Sequence, residues 1–158
     1  KLLKIKEKLQ SLKEEDDMAM VMRQQPSISG EPQLLEIDGS PCGERFLVRI
    51  NGFNVPLTGK SFKYLTKLAW FRLHGDSGWI YKEDIEVGFN QARYLYRMKN
   101  EISSGVQANW PLVENNRLGY YRLALPPERI RINLDNLREH PDWEVRRIAL
   151  GETGEAVH

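Results

Sequence analysis

Between Arg45 and Leu57 the chain carries the pattern that leaves the least choice of local structure. Phe46, Val48 and Ile50 alternate on one face, Asn51-Gly52 supplies two residues that tolerate positive φ, and Phe53-Asn-Val-Pro-Leu57 returns. Two alternating segments joined by such a turn predict an antiparallel hairpin, with Pro56 at a strand end or sheet edge because it has no N–H to give a central ladder. The period then changes. Thr58 is a good N-cap, and Phe62, Leu65, Leu68, Ala69 and Leu73 recur at helical spacing as far as the stop at His74-Gly75. Ahead of the hairpin, Leu35-Glu-Ile37 reads as a short strand and Asp38 to Gly43 as turn material.

Further along, Trp79-Ile-Tyr81 reads as a brief extended segment and Lys82 to Val87 as a short helix closed by Gly88. A longer helix follows from Asn90 to Ser104. Leu95, Met98 and Ile102 form its apolar stripe, while Asn90, Arg93, Arg97 and Asn100 share a polar face that carries donors and no acid. Arg presents a bidentate fork suited to the guanine edge or to phosphate, and Asn can pair with adenine. The plain alternative is a solvated face, the norm for an amphipathic helix. Beyond Gly105, Trp110 to Glu114 and Tyr120 to Leu125 read as a second hairpin around an Asn-rich turn, with Arg117 near its tip.

The ends are of a different character. Residues 1–25 form a helix by composition, with Leu2, Ile5, Leu9 and Leu12 at heptad spacing, and the acids Glu14 to Asp17 would place charge on that seam. A homodimer contact through residues 1–23 and a linker are equally good readings of it. Residues 26–33, with Pro26, Gly30 and Pro32, read as a hinge. The central domain then covers 34–125. An extension, 126–158, begins at Pro126-Pro127 and alternates Ile130, Ile132 and Leu134 as in a strand. It offers a short helix from Pro141 to about Leu150 with Trp143 as its anchor, and its last residues read as disordered. The extension is expected to pack as a flap, with Trp143, Arg146 and Arg147 as an alternative docking point for a protein partner.

The net charge of +1 averages over unlike segments. Thr58 to Gly75 holds four Lys or Arg and no acid, and Phe89 to Leu125 is also net basic, whereas Asp76 to Gly88 is acidic. The lone Cys42 excludes an intramolecular disulfide, and the scattered His74, His140 and His158 have no ligand spacing, so neither metal nor cofactor is expected. No carboxylate pair, Cys/His dyad or Gly-rich phosphate loop points to an enzyme. No apolar run approaches a membrane span, and the reading is cytoplasmic with no membrane partner. The first residue is Lys1, compatible with a piece of a longer protein.

The whole order is strands, helix, short helix, basic helix, hairpin, which gives an α+β fold of the winged helix-turn-helix kind. Leu57-Thr58 before a helix with Phe62, Tyr64 and Leu65, the Asn90 to Ile102 helix, and Gly119-Tyr-Tyr-Arg-Leu123 resemble the OmpR/PhoB-type DNA-binding effector domain over about Leu34 to Leu125. The resemblance implies a leading antiparallel sheet, the 90–104 helix in the major groove of double-stranded DNA and the 110–125 hairpin as wing. It implies base contacts from Asn90, Arg93 and Arg97, phosphate contacts from Tyr94 and Lys99, Thr58 where the first helix nears the backbone, and Arg117 at the wing. Asn100 joins them by its place on the polar face. Three features depart from the family pattern. Glu101 stands where a base is usual and would oppose phosphate, an extra Tyr lengthens the closing motif, and a heptad-like helix rather than a receiver domain lies ahead of the matching segment. The expected role is a transcriptional regulator. The alternative is a winged-helix module that binds protein, since fold does not fix function.

Overall fold

The computed structural model describes residues 32–151. The expected N-terminal helix with its dimer contact, most of the hinge and residues 152–158 lie outside that range. The order is β1 (Leu35–Cys42), β2 (Arg45–Ile50), β3 (Phe53–Leu57), α1 (Gly59–His74), β4 (Ile80–Tyr81), α2 (Lys82–Ile85), α3 (Gln91–Val106), β5 (Val113–Asn115), β6 (Tyr120–Leu123), a 3-10 turn (Pro127–Arg129), β7 (Ile130–Ile132), α4 (Leu134–Arg138) and α5 (Trp143–Ala149). The fold is mixed α+β. Among the described residues, no helix is long and apolar enough to cross a membrane.

The hairpin forms as its residues dictate. Phe46 pairs with Leu57 and Ile50 with Phe53, and the turn residues Asn51 and Gly52 take φ of 53° and 88°. Val48, Ile50, Val55 and Leu57 are fully buried on one face. They join Phe62, Leu65 and Leu68 of α1 and Leu95, Met98 and Ile102 of α3 in a single core, each large side chain worth about 1.5–3 kcal/mol of burial. Helix α3 lies close on β3 because residue 105 has no side chain: a Cβ there would stand 2.8 Å from Cγ1 of Val55.

Four expectations of local structure need correction. Strand β1 does not end at Ile37 but runs to Cys42, with a register shift between Ile37 and Pro41. What read as turn material is a bulge held from a distance: Asn136 of α4 donates to the Asp38 carbonyl at 2.8 Å, and the Asp38 carboxylate accepts from Ser40 N–H and from Arg49. Second, Trp110 to Leu112 is not strand. Pro111 has no N–H to give a ladder, and pairing with β6 starts only at Val113. Third, Trp143 opens α5 but does not anchor it, being 53% exposed while Val145 and Ile148 fill the core. Fourth, Thr58 precedes α1 without capping it through its side chain.

Two sheets result. The larger runs β3-β2-β1-β7, with β7 parallel to β1, so that residues after Pro126 complete the sheet that residues before Leu57 began. The smaller runs β4-β6-β5. Between α4 and α5, His140 is buried with its ring 4.2 Å from Phe46 and stacked on Phe62 at 5.3 Å. Its Nδ1 accepts from the Asp142 N–H at 2.9 Å.

Candidate nucleic-acid interface

Helix α3 is placed by its buried side. Leu95, Met98, Ile102 and Val106 face the core, so Arg93, Arg97, Asn100 and Ser104 are exposed on the opposite side. Lys99 and Tyr96 occupy one flank, with Tyr96 66% exposed. The start of the helix is pinned from within. Gln91 is buried, and its amide donates to the carbonyls of Glu86 at 2.6 Å and Gly88 at 2.9 Å. Asn90 takes the N-cap position with φ of 76° and makes no side-chain cap bond, leaving its amide outward.

On the other flank, Tyr94 is half-buried, its ring edge-on to Tyr64 at 6.0 Å. Lys60 Nζ stands 4.5 Å, and Arg97 Cζ 5.5 Å, from the Tyr94 ring, so Tyr94 also holds two cations by their attraction to its π face. Glu101, expected to oppose phosphate, is turned inward and is 14% exposed. Its carboxylate accepts from the Thr58 N–H at 3.0 Å and from the Thr58 hydroxyl at 2.9 Å, and Arg45 lies 3.8 Å away. Thr58 is therefore occupied at the start of α1 by a side chain of α3.

The hairpin of β5 and β6 is organised by its two asparagines. Asn115 Oδ1 accepts from Arg117 N–H, and Asn116 Oδ1 accepts from the N–H groups of Leu118 and Tyr120. Arg117 sits exposed at the bend with φ of 65°. Asn90 and Arg117 are thereby brought to one open groove of about 410 Å³, between the start of α3 and the hairpin, which Lys82, Phe89 and Ala92 also line.

The cations of α1, α3 and the β5–β6 hairpin divide into two sets. The basic segment of α1 is not a basic face. Lys63 is buried, 3.4 to 3.6 Å from Glu86, Asp142 and Glu144, and Lys67 bonds Glu144 at 2.7 Å and the Ile85 carbonyl at 2.6 Å. Lys60 pairs with Glu86 at 2.8 Å, and Arg72 donates to the carbonyls of Leu125 and Ser77. Arg122 is likewise held by Glu114 and the face of Trp79. By contrast, Arg93, Arg97, Lys99 and Arg117 form no salt bridge among the described residues.

Sequence reading passed over Phe89, Tyr96 and Leu118, all well exposed beside these cations. The signal was there, since an aromatic on the polar face of an amphipathic helix, or just before its N-cap, has no core to enter. Among the described residues, no group of three His, Cys, Asp or Glu is placed to hold a metal ion. Comparison with family models, with characterised proteins and with solved structures finds no match to the chain.

Proposed function

We propose that this chain is a winged helix-turn-helix module of the OmpR/PhoB-like kind that binds duplex DNA as a transcriptional regulator in the cytoplasm. In this reading α3 enters the major groove, Arg93, Arg97, Asn100 and Asn90 meet base edges, Lys99 and Tyr94 meet phosphate, and the β5–β6 hairpin is the wing, with Arg117 reaching the backbone or minor groove. Thr58 stands near the backbone only if phosphate competes with Glu101. The observation that carries the reading is the division of charge. The three Lys of α1 are neutralised by acids within the fold and Arg72 is held by backbone carbonyls, while the four cations on the outer side of α3 and the hairpin have no acid partner among the described residues.

A near-neutral protein needs no more than this local excess, because phosphate neutralisation is local. The two cations assigned to the backbone, Lys99 and Arg117, predict that the logarithm of affinity falls with the logarithm of salt at a slope of about −2. Arg97→Ala is expected to cost about 1–3 kcal/mol on the preferred duplex and to relax selectivity at one base pair. Lys99→Ala is expected to weaken all duplexes alike and to flatten the salt slope by about one unit. Fluorescence anisotropy on preferred and scrambled duplexes at several salt concentrations reads both effects. Equal affinities for wild type and both variants would remove this site.

A second reading, a module that docks on protein, is favoured by one observation: Trp143 and Leu150 expose apolar surface on and just after α5, away from α3, with Arg147 over the Trp143 ring.

A further inference from the structure

We infer that Phe89 reads the 5-methyl group of a thymine, a specificity contact that rests on the DNA-binding reading above. Phe89 is 88% exposed, and Val87, two residues before it, is 86% exposed. These side chains are not on a loose loop that has yet to find the core. The turn that carries them is fixed by the Gln91 amide bonds to Glu86 and Gly88, by Gly88 at φ of 115° and by Asn90 at φ of 76°. The fold therefore holds an apolar ring out into water, at a cost of about 25 cal/mol for each Å² left uncovered.

The position of the ring says what covers it. Phe89 immediately precedes Asn90 and shares a groove with Asn90, Ala92, the cations Lys82 and Arg117 and one acid, Glu83. Arg93 and Arg97, without acid partners among the described residues, stand on the turns that follow. Lys82, Arg93, Arg97 and Arg117 outnumber Glu83 here, so the surface is net positive and complementary to a phosphate-lined groove. The residues at the start of a groove-entering helix are the ones that reach base edges. The apolar feature a duplex offers there is the thymine methyl, which Phe and Ala contact in direct readout. Cations around the ring favour this occupant over an apolar protein surface, which would have to desolvate them.

The test uses the full chain and its preferred duplex. Each thymine is replaced in turn by deoxyuridine, which deletes the methyl group and leaves base pairing intact. At one position, wild-type binding is expected to weaken about four-fold, the conversion of about 0.8 kcal/mol per buried carbon group. Phe89→Ala is expected to bind the thymine and uracil duplexes equally while still depending on Arg97. Phe89→Leu is expected to keep part of the discrimination. No methyl effect at any thymine, or an effect undiminished in Phe89→Ala, overturns the inference and leaves the ring to a protein partner, with the DNA reading intact. Failure of the wild type to prefer any duplex overturns both.

Discussion

Glu86→Ala is expected to lower the free energy of unfolding by about 2–4 kcal/mol. This carboxylate, 23% exposed, accepts from the Tyr64 hydroxyl at 2.6 Å and from Lys60 at 2.8 Å, and lies 3.5 Å from the buried Lys63. Deleting it leaves a buried hydroxyl without its acceptor and a buried ammonium with one anion fewer. Burial alone would raise the Glu86 pKa, but Lys60, Tyr64 and Lys63 overcome it and hold the group below its ordinary value. Its contribution is thus present above about pH 4.3 and lost as the pH falls through the lowered folded value. Lys63 works in the opposite direction. Desolvation would lower its pKa, yet Asp142, Glu144 and Glu86 raise it, so its contribution holds below about pH 10.4 and is lost as the pH rises through the raised value. Glu86→Gln, which keeps an acceptor for Tyr64 without the charge, should fall between wild type and alanine. Lys60→Ala, removing the most exposed partner, should cost under about 1 kcal/mol. Urea unfolding followed by tryptophan fluorescence separates these variants. If Glu86→Ala cost no more than Lys60→Ala, the cluster would not be what ties α1 to α5 and the turn before α3.

The second large effect is at His140. His140→Ala is expected to cost about 2–4 kcal/mol at pH 7.5, since it empties the space between Phe46 and Phe62. The ring also makes stability depend on pH. Its Nδ1 accepts a proton-bearing N–H from Asp142, so it is not protonated there, and its Nε2 is buried without a partner among the described residues. Burial lowers its pKa, aided by Arg146 and Lys63 and opposed by Asp142. With the folded value below the unfolded one of about 6.5, the unfolded chain binds more protons in the window between them. Stability is therefore full above about pH 6.5 and falls on acidification, before the carboxylates titrate. His140→Phe keeps the aromatic packing and cannot take up a proton, so its melting temperature should change less than that of the wild type between about pH 7.5 and 5.5. An equal drop in both proteins would show that His140 is not the group responsible.

What the sequence makes legible is local. The β2–β3 hairpin, the apolar stripes of α1 and α3 and the outward Arg93, Arg97 and Asn100 all follow from period and turn chemistry, which need no knowledge of distant residues. What it hides is long-range. Ile130, Ile132 and Leu134 read as a strand, but the strand ends at Ile132, Leu134 opens α4 behind the Asn133 cap, and nothing local says that Ile130 and Ile132 lie parallel to Leu35 and Ile37. The four cations of α1 read as a basic segment. Lys60, Lys63 and Lys67 are neutralised by Glu86, Asp142 and Glu144, and Arg72 is tied to the carbonyls of Leu125 and Ser77, all residues brought close only by the fold. Glu101 shows the same thing within the site. On a helical wheel it adjoins the donors, yet Thr58, 43 positions earlier, draws it away from the outer face. Charge composition therefore misread α1 as a basic face, whereas Arg93 and Arg97 of α3 do stand exposed, because no acid among the described residues folds back onto them.

The central claim is that the outer side of α3 reads duplex sequence, and selection from a random-sequence duplex library at two salt concentrations tests it most directly. With Arg97→Ala run in parallel, the account predicts that wild type enriches a defined motif, that enrichment survives the higher salt better than bulk binding does, and that the variant loses preference at one position of that motif. A folded wild type that enriches no motif at either salt, or an Arg97→Ala variant that enriches the same motif unchanged, would contradict it.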